Sequence, residues 1–202
     1  MSPSGTFERV YAALKGRLRQ GTMKPGERLE PAALSEDLFA SVTPIRDALH
    51  RLVGERLVEA PRQEGFRVPL LSENRLRHLY AWHSDLLLLA IMRRRTAGGL
   101  EMPDAEVAGE RSCREKLRSV FAAIARSTGN PEHIHALDSV SERLEPVEPI
   151  EDLLLDEVEL EADAICAAIR ARDTRLLRKL LVNYHRRRER IVPELLARLE
   201  LD

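Results

Sequence analysis

Proline and glycine cut the first 71 residues of this chain into segments too short for anything but a small, helix-rich head. Phe7 to Gln20 carries Val10, Tyr11, Leu14 and Leu18 at a helical period, and Gly21 is a natural stop. Met23-Lys24-Pro25-Gly26-Glu27-Arg28-Leu29 reads as a turn followed by a short extended piece. Pro31 sits at the first position of the next helix, Ala32 to Phe39. Thr43-Pro44 repeats that signal, with Thr43 as the expected cap and Ile45, Leu49, Leu52 and Val53 at helical spacing behind it. Two β-prone pieces, Leu57 to Ala60 and Phe66 to Pro69, flank Arg62-Gln63-Glu64-Gly65 and predict a hairpin. Three short helices and then a hairpin is the layout of a winged helix-turn-helix.

From Ser72 onward the pattern is helical throughout. A first run carries Leu76, Leu79, Tyr80 and Leu86 to Leu89, and Arg95 to Gly99 is expected to close it. A second carries Leu117, Val120, Phe121 and Ile124 and stops at Ser127 to Pro131. Ile134 to Leu144, Leu153 to Arg170, Thr174 to Tyr184 and Arg188 to Leu199 complete the set. The fold class is therefore mainly α, with a winged helix-turn-helix at 1–71 and an all-helical domain at 72–202, most simply an antiparallel bundle.

Charge permits a DNA-reading head without demanding one. The net charge is −1 overall, split as +2 over residues 1–71 and −3 over 72–202. No apolar run approaches the ~20 residues needed to span a bilayer; Leu86 to Met92 is followed at once by Arg93-Arg94-Arg95. Met1 to Thr6 lacks the basic-then-apolar pattern of a secretory signal. Cys113 and Cys166 could form at most one bridge, so a reducing cytoplasm is the simplest location, away from any membrane.

Residues 7–69 resemble the GntR family of bacterial transcription regulators. The resemblance is carried by Met23 to Leu29, by Leu38-Phe39-Ala40-Ser41-Val42-Thr43-Pro44-Ile45-Arg46-Asp47-Ala48-Leu49, where the family reads LGVSRTPVREAL, and by Leu52 to Glu59. The helical remainder resembles the FadR-type effector domain (FCD) through Leu79-Tyr80, Ala125 to Pro131 and Ala168-Ile169-Arg170-Ala171-Arg172-Asp173. The resemblance implies a homodimer on a pseudo-palindromic double-stranded operator, responsive to a small effector. The N-terminal turn of the second helix of a helix-turn-helix enters the major groove. By resemblance Arg46 is the leading base or phosphate contact and Ser41 and Thr43 are phosphate ligands. Arg51 follows one turn on, and Arg62, Gly65 and Arg67 form a wing that tracks the DNA backbone or minor groove. Two positions depart from the family pattern: Val42 stands where Arg is usual, and Phe39 where Gly is usual.

Many FCD domains hold a divalent metal on one Asp and three His beside their effector pocket. Counted from Gly129 and from the Ala168 to Asp173 string, those positions fall on Leu117, Phe121, Ala162 and Tyr184, with His185 one place out of register. Leu, Phe and Ala cannot coordinate a cation, and zinc needs about four donors. No metal and no other cofactor is expected, and the apolar wall reads either as a collapsed, ligand-free core or as a pocket for a relatively apolar effector. His83 occupies the place of a family Arg and is a candidate effector contact. His133 and His135 lie at i,i+2 on different helix faces, and Arg186-Arg187-Arg188 reads as a solvated face. No nucleophile–base constellation stands out, so the chain is not read as an enzyme. A winged-helix protein–protein adaptor, or a regulator without a small-molecule ligand, is the alternative.

Overall fold

The computed structural model describes residues 3–93 and 112–201. The expected helix stop at Arg95 to Gly99 lies outside the described residues. The chain divides into two compact units, one of Met1–Ser72 with Glu145–Val147, the other of Glu73–Leu144 with Glu148–Asp202. The architecture is mainly α, with an N-terminal winged helix-turn-helix and a C-terminal helical domain.

In the first unit, α1 (Pro3–Arg19), α2 (Pro31–Asp37) and α3 (Val42–Gly54) pack around Val10, Leu14 and Leu18 of α1 and Ile45, Leu49 and Leu52 of α3. These residues recur every three or four positions, which makes one apolar stripe per helix. Ser41 caps α3 with extended dihedrals, and Thr43 lies inside the first turn, not at the cap. Pro44 allows this shift because first-turn N–H groups have no helical partner anyway.

The expected hairpin forms in part. β2 (Phe66–Arg67) pairs antiparallel with β1 (Arg28–Leu29), in the register Arg28 with Arg67 and Leu29 with Phe66. The piece at Leu57 to Ala60 contributes one bridge, Glu59 with Arg67. The reason lies in backbone hydrogen bonding. The N–H groups of Leu57 and Val58 are spent closing α3 on the Leu52 carbonyl, at 3.0 and 3.3 Å. Pro61 has no N–H to give.

The second unit is built from α4 (Glu73–Arg93), α5 (Cys113–Arg126), α6 (Pro131–Leu144), α7 (Glu148–Leu154), α8 (Val158–Arg170) and α9 (Thr174–Leu201). α4 packs on α9, α6 and α5, and α8 packs between α5 and α9. Its interior holds Leu76, Leu87, Ile124, Leu137, Ile165 and Leu181.

Two sequence expectations change here. The single run expected over 153–170 is broken at Glu157, which adopts a left-handed φ of 57° between α7 and α8. The two runs expected over 174–184 and 188–199 are one helix that continues through Pro193. A proline inside a helix removes the hydrogen bond to the carbonyl four residues back. That carbonyl belongs to Glu189, and Arg77 Nη1 donates to it at 2.8 Å. Glu73 steadies the same guanidinium at 2.8 Å. α4 thus supplies the donor that Pro193 cannot.

Candidate functional site

The exposed face of α3 is the complement of its buried one. Ile45, Ala48, Leu49 and Leu52 point into the core; Ser41, Val42, Thr43, Arg46, Asp47 and His50 are exposed. Ser41 makes no side-chain capping bond, so its hydroxyl is uncommitted beside the first-turn N–H groups of α3. Arg46 has no hydrogen bond or ion pair among the described residues. Its guanidinium therefore stands in solvent one turn into the helix.

Arg51 is placed differently. Its guanidinium lies 4.0 Å from the centre of the Tyr11 ring and pairs with Glu55 at 3.4 Å and Glu8 at 3.7 Å. It braces α3 on α1. In the wing, Arg62 is exposed with no partner among the described residues, whereas Arg67 is held by Glu59 and Glu64, each at 3.3 Å. Gly65 takes a φ of +74°, which L side chains rarely adopt, and Gln63 shares that region at 64°. Gly65 is thus needed for the shape of the turn. No atom lies close enough to forbid a side chain on space alone.

The turn before α3 is held by Arg9, whose Nη1 donates to the Leu38 carbonyl at 2.8 Å and Nη2 to the Phe39 carbonyl at 3.3 Å. Phe39 has a φ of 49° and its ring is 90% exposed. Nothing in the structure explains a phenylalanine there.

In the helical unit, His83, Leu117, Phe121 and Tyr184 line a common cavity of about 40 Å³. That is room for two or three water molecules and far below the several hundred Å³ of an organic ligand pocket. Ala162, on α8, is fully buried and is not among the lining residues.

Charged groups share this wall with the apolar residues expected. Arg114, Arg118, Glu148, Glu151, Asp152 and Arg188 also face the cavity. Sequence periodicity misses Glu151 and Arg188 because both are charged, yet they are 3% exposed. The Tyr80 hydroxyl donates to Glu151 Oε1, Arg188 Nε donates to Glu151 Oε2 at 2.9 Å, and Arg188 Nη1 donates to Glu161 at 2.9 Å. Its guanidinium also stacks 3.4 Å from the Tyr184 ring centre. Arg187 donates to Glu161 at 3.0 Å and to the Asp156 carbonyl. The expected solvated face at 186–188 is therefore reduced to Arg186, because the carboxylates that attract its neighbours come from α7 and α8. Burial disfavours the Arg188 charge, but Glu151 and Glu161 outweigh it and hold the guanidinium protonated. Burial, with the Glu151 charge, pushes the Tyr80 phenol well above its ordinary value.

The histidines are committed to one another. His185 Nδ1 is 2.7 Å from the Leu181 carbonyl and His83 Nδ1 is 2.8 Å from His185 Nε2. His83 Nε2 is 3.1 Å from Ser141 Oγ, which is 2.8 Å from the Leu137 carbonyl. Two neutral imidazoles and one hydroxyl own three protons for these four contacts. The Ser141 hydroxyl donates to the Leu137 carbonyl, and we assign His185 Nδ1–H to Leu181 and His83 Nδ1–H to His185. Burial and the Arg188 charge lower both histidines, His185 to about 4 and His83 well below its ordinary value. His133 is also buried and 2.9 Å from the Leu86 carbonyl. Leu117, Phe121, Ala162 and Tyr184 together offer one phenol, and among the described residues no group of three or more His, Cys, Asp or Glu is arranged to hold a metal ion.

Residues 6–68 match the sequence family described as bacterial regulatory proteins, gntR family. The HTH-type transcriptional repressor GlaR of Escherichia coli K12 is 30% identical over 113 residues, covering 56% of this chain and 51% of GlaR. The HTH-type transcriptional regulator McbR of the same organism is 36% identical over 78 residues, covering 39% of this chain and 35% of McbR. The chain thus spans about half the length, or less, of the curated relatives it matches. Among solved structures, a protein from Rhodococcus sp. RHA1 described as a GntR transcriptional regulator superposes with a TM-score of 0.74 at 19% identity, covering 93% of this chain and 97% of that one. E. coli McbR/YncC superposes with a TM-score of 0.66 at 22% identity, covering 94% and 97%. At such identities the likeness speaks to the fold. Residues 6–68, the segment that carries α3 and the wing, are thus similar to the gntR family of bacterial regulatory proteins.

Proposed function

We propose that this chain is a homodimeric, DNA-binding transcriptional regulator and not an enzyme, reading a pseudo-palindromic double-stranded operator with α3 and the wing. The observation that carries the reading is the free, exposed Arg46 guanidinium on the N-terminal half of α3, beside the uncommitted Ser41 hydroxyl, in a segment similar to the gntR family. An arginine there can take a guanine edge bidentately, and Ser41, Thr43 and the first-turn N–H groups suit a phosphate. Arg62 tracks the backbone. Arg51 and Arg67 act indirectly, the first by bracing α3 on α1 and the second by fixing the wing. One short helix reads few base pairs, so a two-fold dimer supplies the rest of the site.

The helical unit is the regulatory half in this reading, an FCD-type domain that works without the family's metal. An effector entering beside His83 and Tyr184 has to widen the cavity, and it meets Glu151 and Arg188 as well as Leu117 and Phe121. Opening a few hundred Å³ there is the kind of change that can bias the two heads, provided the ligand favours one arrangement over the other. The exposed Phe39 and Val42 side chains are what favours a protein–protein adaptor instead.

Fluorescence anisotropy on duplexes from the chain's own upstream region and on random duplexes separates the two. Arg46→Ala is expected to weaken specific binding by about 1–3 kcal/mol and leave random binding nearly unchanged. Arg62→Ala is expected to weaken both alike and to lower the salt dependence by about one ion. A wild-type protein that does not discriminate among duplexes at any salt concentration overturns the regulator reading.

A further inference from the structure

Val42 is the first residue of α3 and is 37% exposed, outside the hydrophobic core of the head. A β-branched apolar side chain gains nothing for the helix at that position, where it loses rotamer freedom and covers no core surface. It lies four residues before Arg46, so the two side chains are neighbours on one helix face. Arg46 is exposed and has no partner among the described residues. That surface therefore pairs a planar cation with a branched hydrocarbon, both at the turn that enters the major groove in this motif. Along the major groove a guanidinium is matched by the guanine O6 and N7 acceptors. The one apolar feature the groove presents is the thymine C5 methyl.

We propose that Val42 is a specificity-determining residue that packs its isopropyl group on a thymine methyl, next to the base pair contacted by Arg46, in each half-site. The inference rests on the DNA-reading function proposed above and adds what is read. Thymine is selected over cytosine, guanine and adenine at that position by burial of its methyl, and its hydrogen-bonding edge is left unused. Thr43 on the same turn also carries a methyl, so the assignment to Val42 is tested by substitution at residue 42 alone.

The test uses the full-length protein. A random double-stranded library is put through rounds of selection, and the enriched duplex is remade with deoxyuridine replacing thymine one position at a time, which removes the C5 methyl and nothing else. At one thymine per half-site the substitution is expected to weaken wild-type binding about fourfold for each methyl, the value of one buried carbon. Val42→Ala is expected to bind the thymine and deoxyuridine duplexes equally. Val42→Arg is expected to enrich a sequence without that thymine. Both variants should melt with the wild type, since the side chain covers no core.

If wild type binds every deoxyuridine duplex as tightly as the parent, or if Val42→Ala keeps the full thymine preference, the inference fails while the DNA-reading function stands. If no sequence is enriched over random DNA, that function fails and takes the inference with it.

Discussion

The paired histidines of the helical unit predict a specific acid sensitivity. His185 has an ordinary value of 6.5 and is pushed down to about 4 in the fold, chiefly by burial. A base whose folded value is depressed binds its proton more readily when unfolded. Its penalty is absent above about pH 6.5 and grows as the pH falls towards 4, where the folded form at last takes the proton. At roughly 1.4 kcal/mol for each tenfold difference in proton affinity, the loss is about 2 kcal/mol by pH 5 and about 3 kcal/mol in full. His83, lowered in the same direction, adds to it. The chain has a single tryptophan, Trp82 in α4, so its fluorescence follows unfolding of the helical unit alone. Urea unfolding of the full-length protein at pH 7.5 and at pH 5.0 gives the loss directly. Other acidic and basic groups titrate too, so the comparison is with His185→Gln. The Gln amide can donate to the Leu181 carbonyl and accept from His83, and it carries no titrating proton. The variant is expected to lose about 2 kcal/mol less than wild type between the two pH values. An equal loss in both proteins would refute the argument and show that His185 is not held neutral by its surroundings.

Three further outcomes follow from single contacts. Arg77→Ala is expected to cost about 1 kcal/mol by leaving the Glu189 carbonyl unpaired, and about half that in a Pro193→Ala background, where residue 193 regains its N–H; equal costs in a urea-denaturation double-mutant cycle would remove the link between Arg77 and the proline. Phe39→Gly is expected to stabilise the head by about 0.5–1 kcal/mol, since the left-handed residue is relieved, the ring covers no core, and only part of the gain is offset by a freer unfolded chain; the check is the melting midpoint followed by circular dichroism. Purified protein is expected to hold no stoichiometric zinc, nickel or manganese, and chelator is expected to leave its melting temperature unchanged. A retained equivalent of metal, found by elemental analysis and raising the melting temperature, would contradict this.

How far each part of the molecule is legible in the sequence depends on which interactions decide it. The head is legible because its boundaries are set locally. Gly21 stops one helix, Pro31 starts the next, Pro44 lies in the first turn of the third, and the buried faces repeat every three or four residues. The pairing of β2 is less so, since Arg28 and Arg67 meet across the whole head and the choice turns on which N–H groups α3 leaves over. In the helical unit, continuity of α9 across 185–187 is not legible locally, because His185, Arg187 and Arg188 are held by His83, Glu161 and Glu151 from other helices. The charged part of the cavity wall is hidden from the sequence for a related reason. A pattern of apolar residues finds Leu117 and Phe121, but it assigns every charge to the surface.

Glu151 and Arg188 are 37 residues apart, and His83 and His185 are 102 apart. Each would be costly to bury alone, and each becomes a stable interior group only because the fold brings its partner to within hydrogen-bonding distance. The residues that give this cavity its polarity are therefore those whose burial depends on partners that only the folded chain supplies. At α3 the opposite holds. Arg46 and Val42 face solvent on a short local helix, so their exposure follows from the spacing of Ile45, Ala48, Leu49 and Leu52 alone.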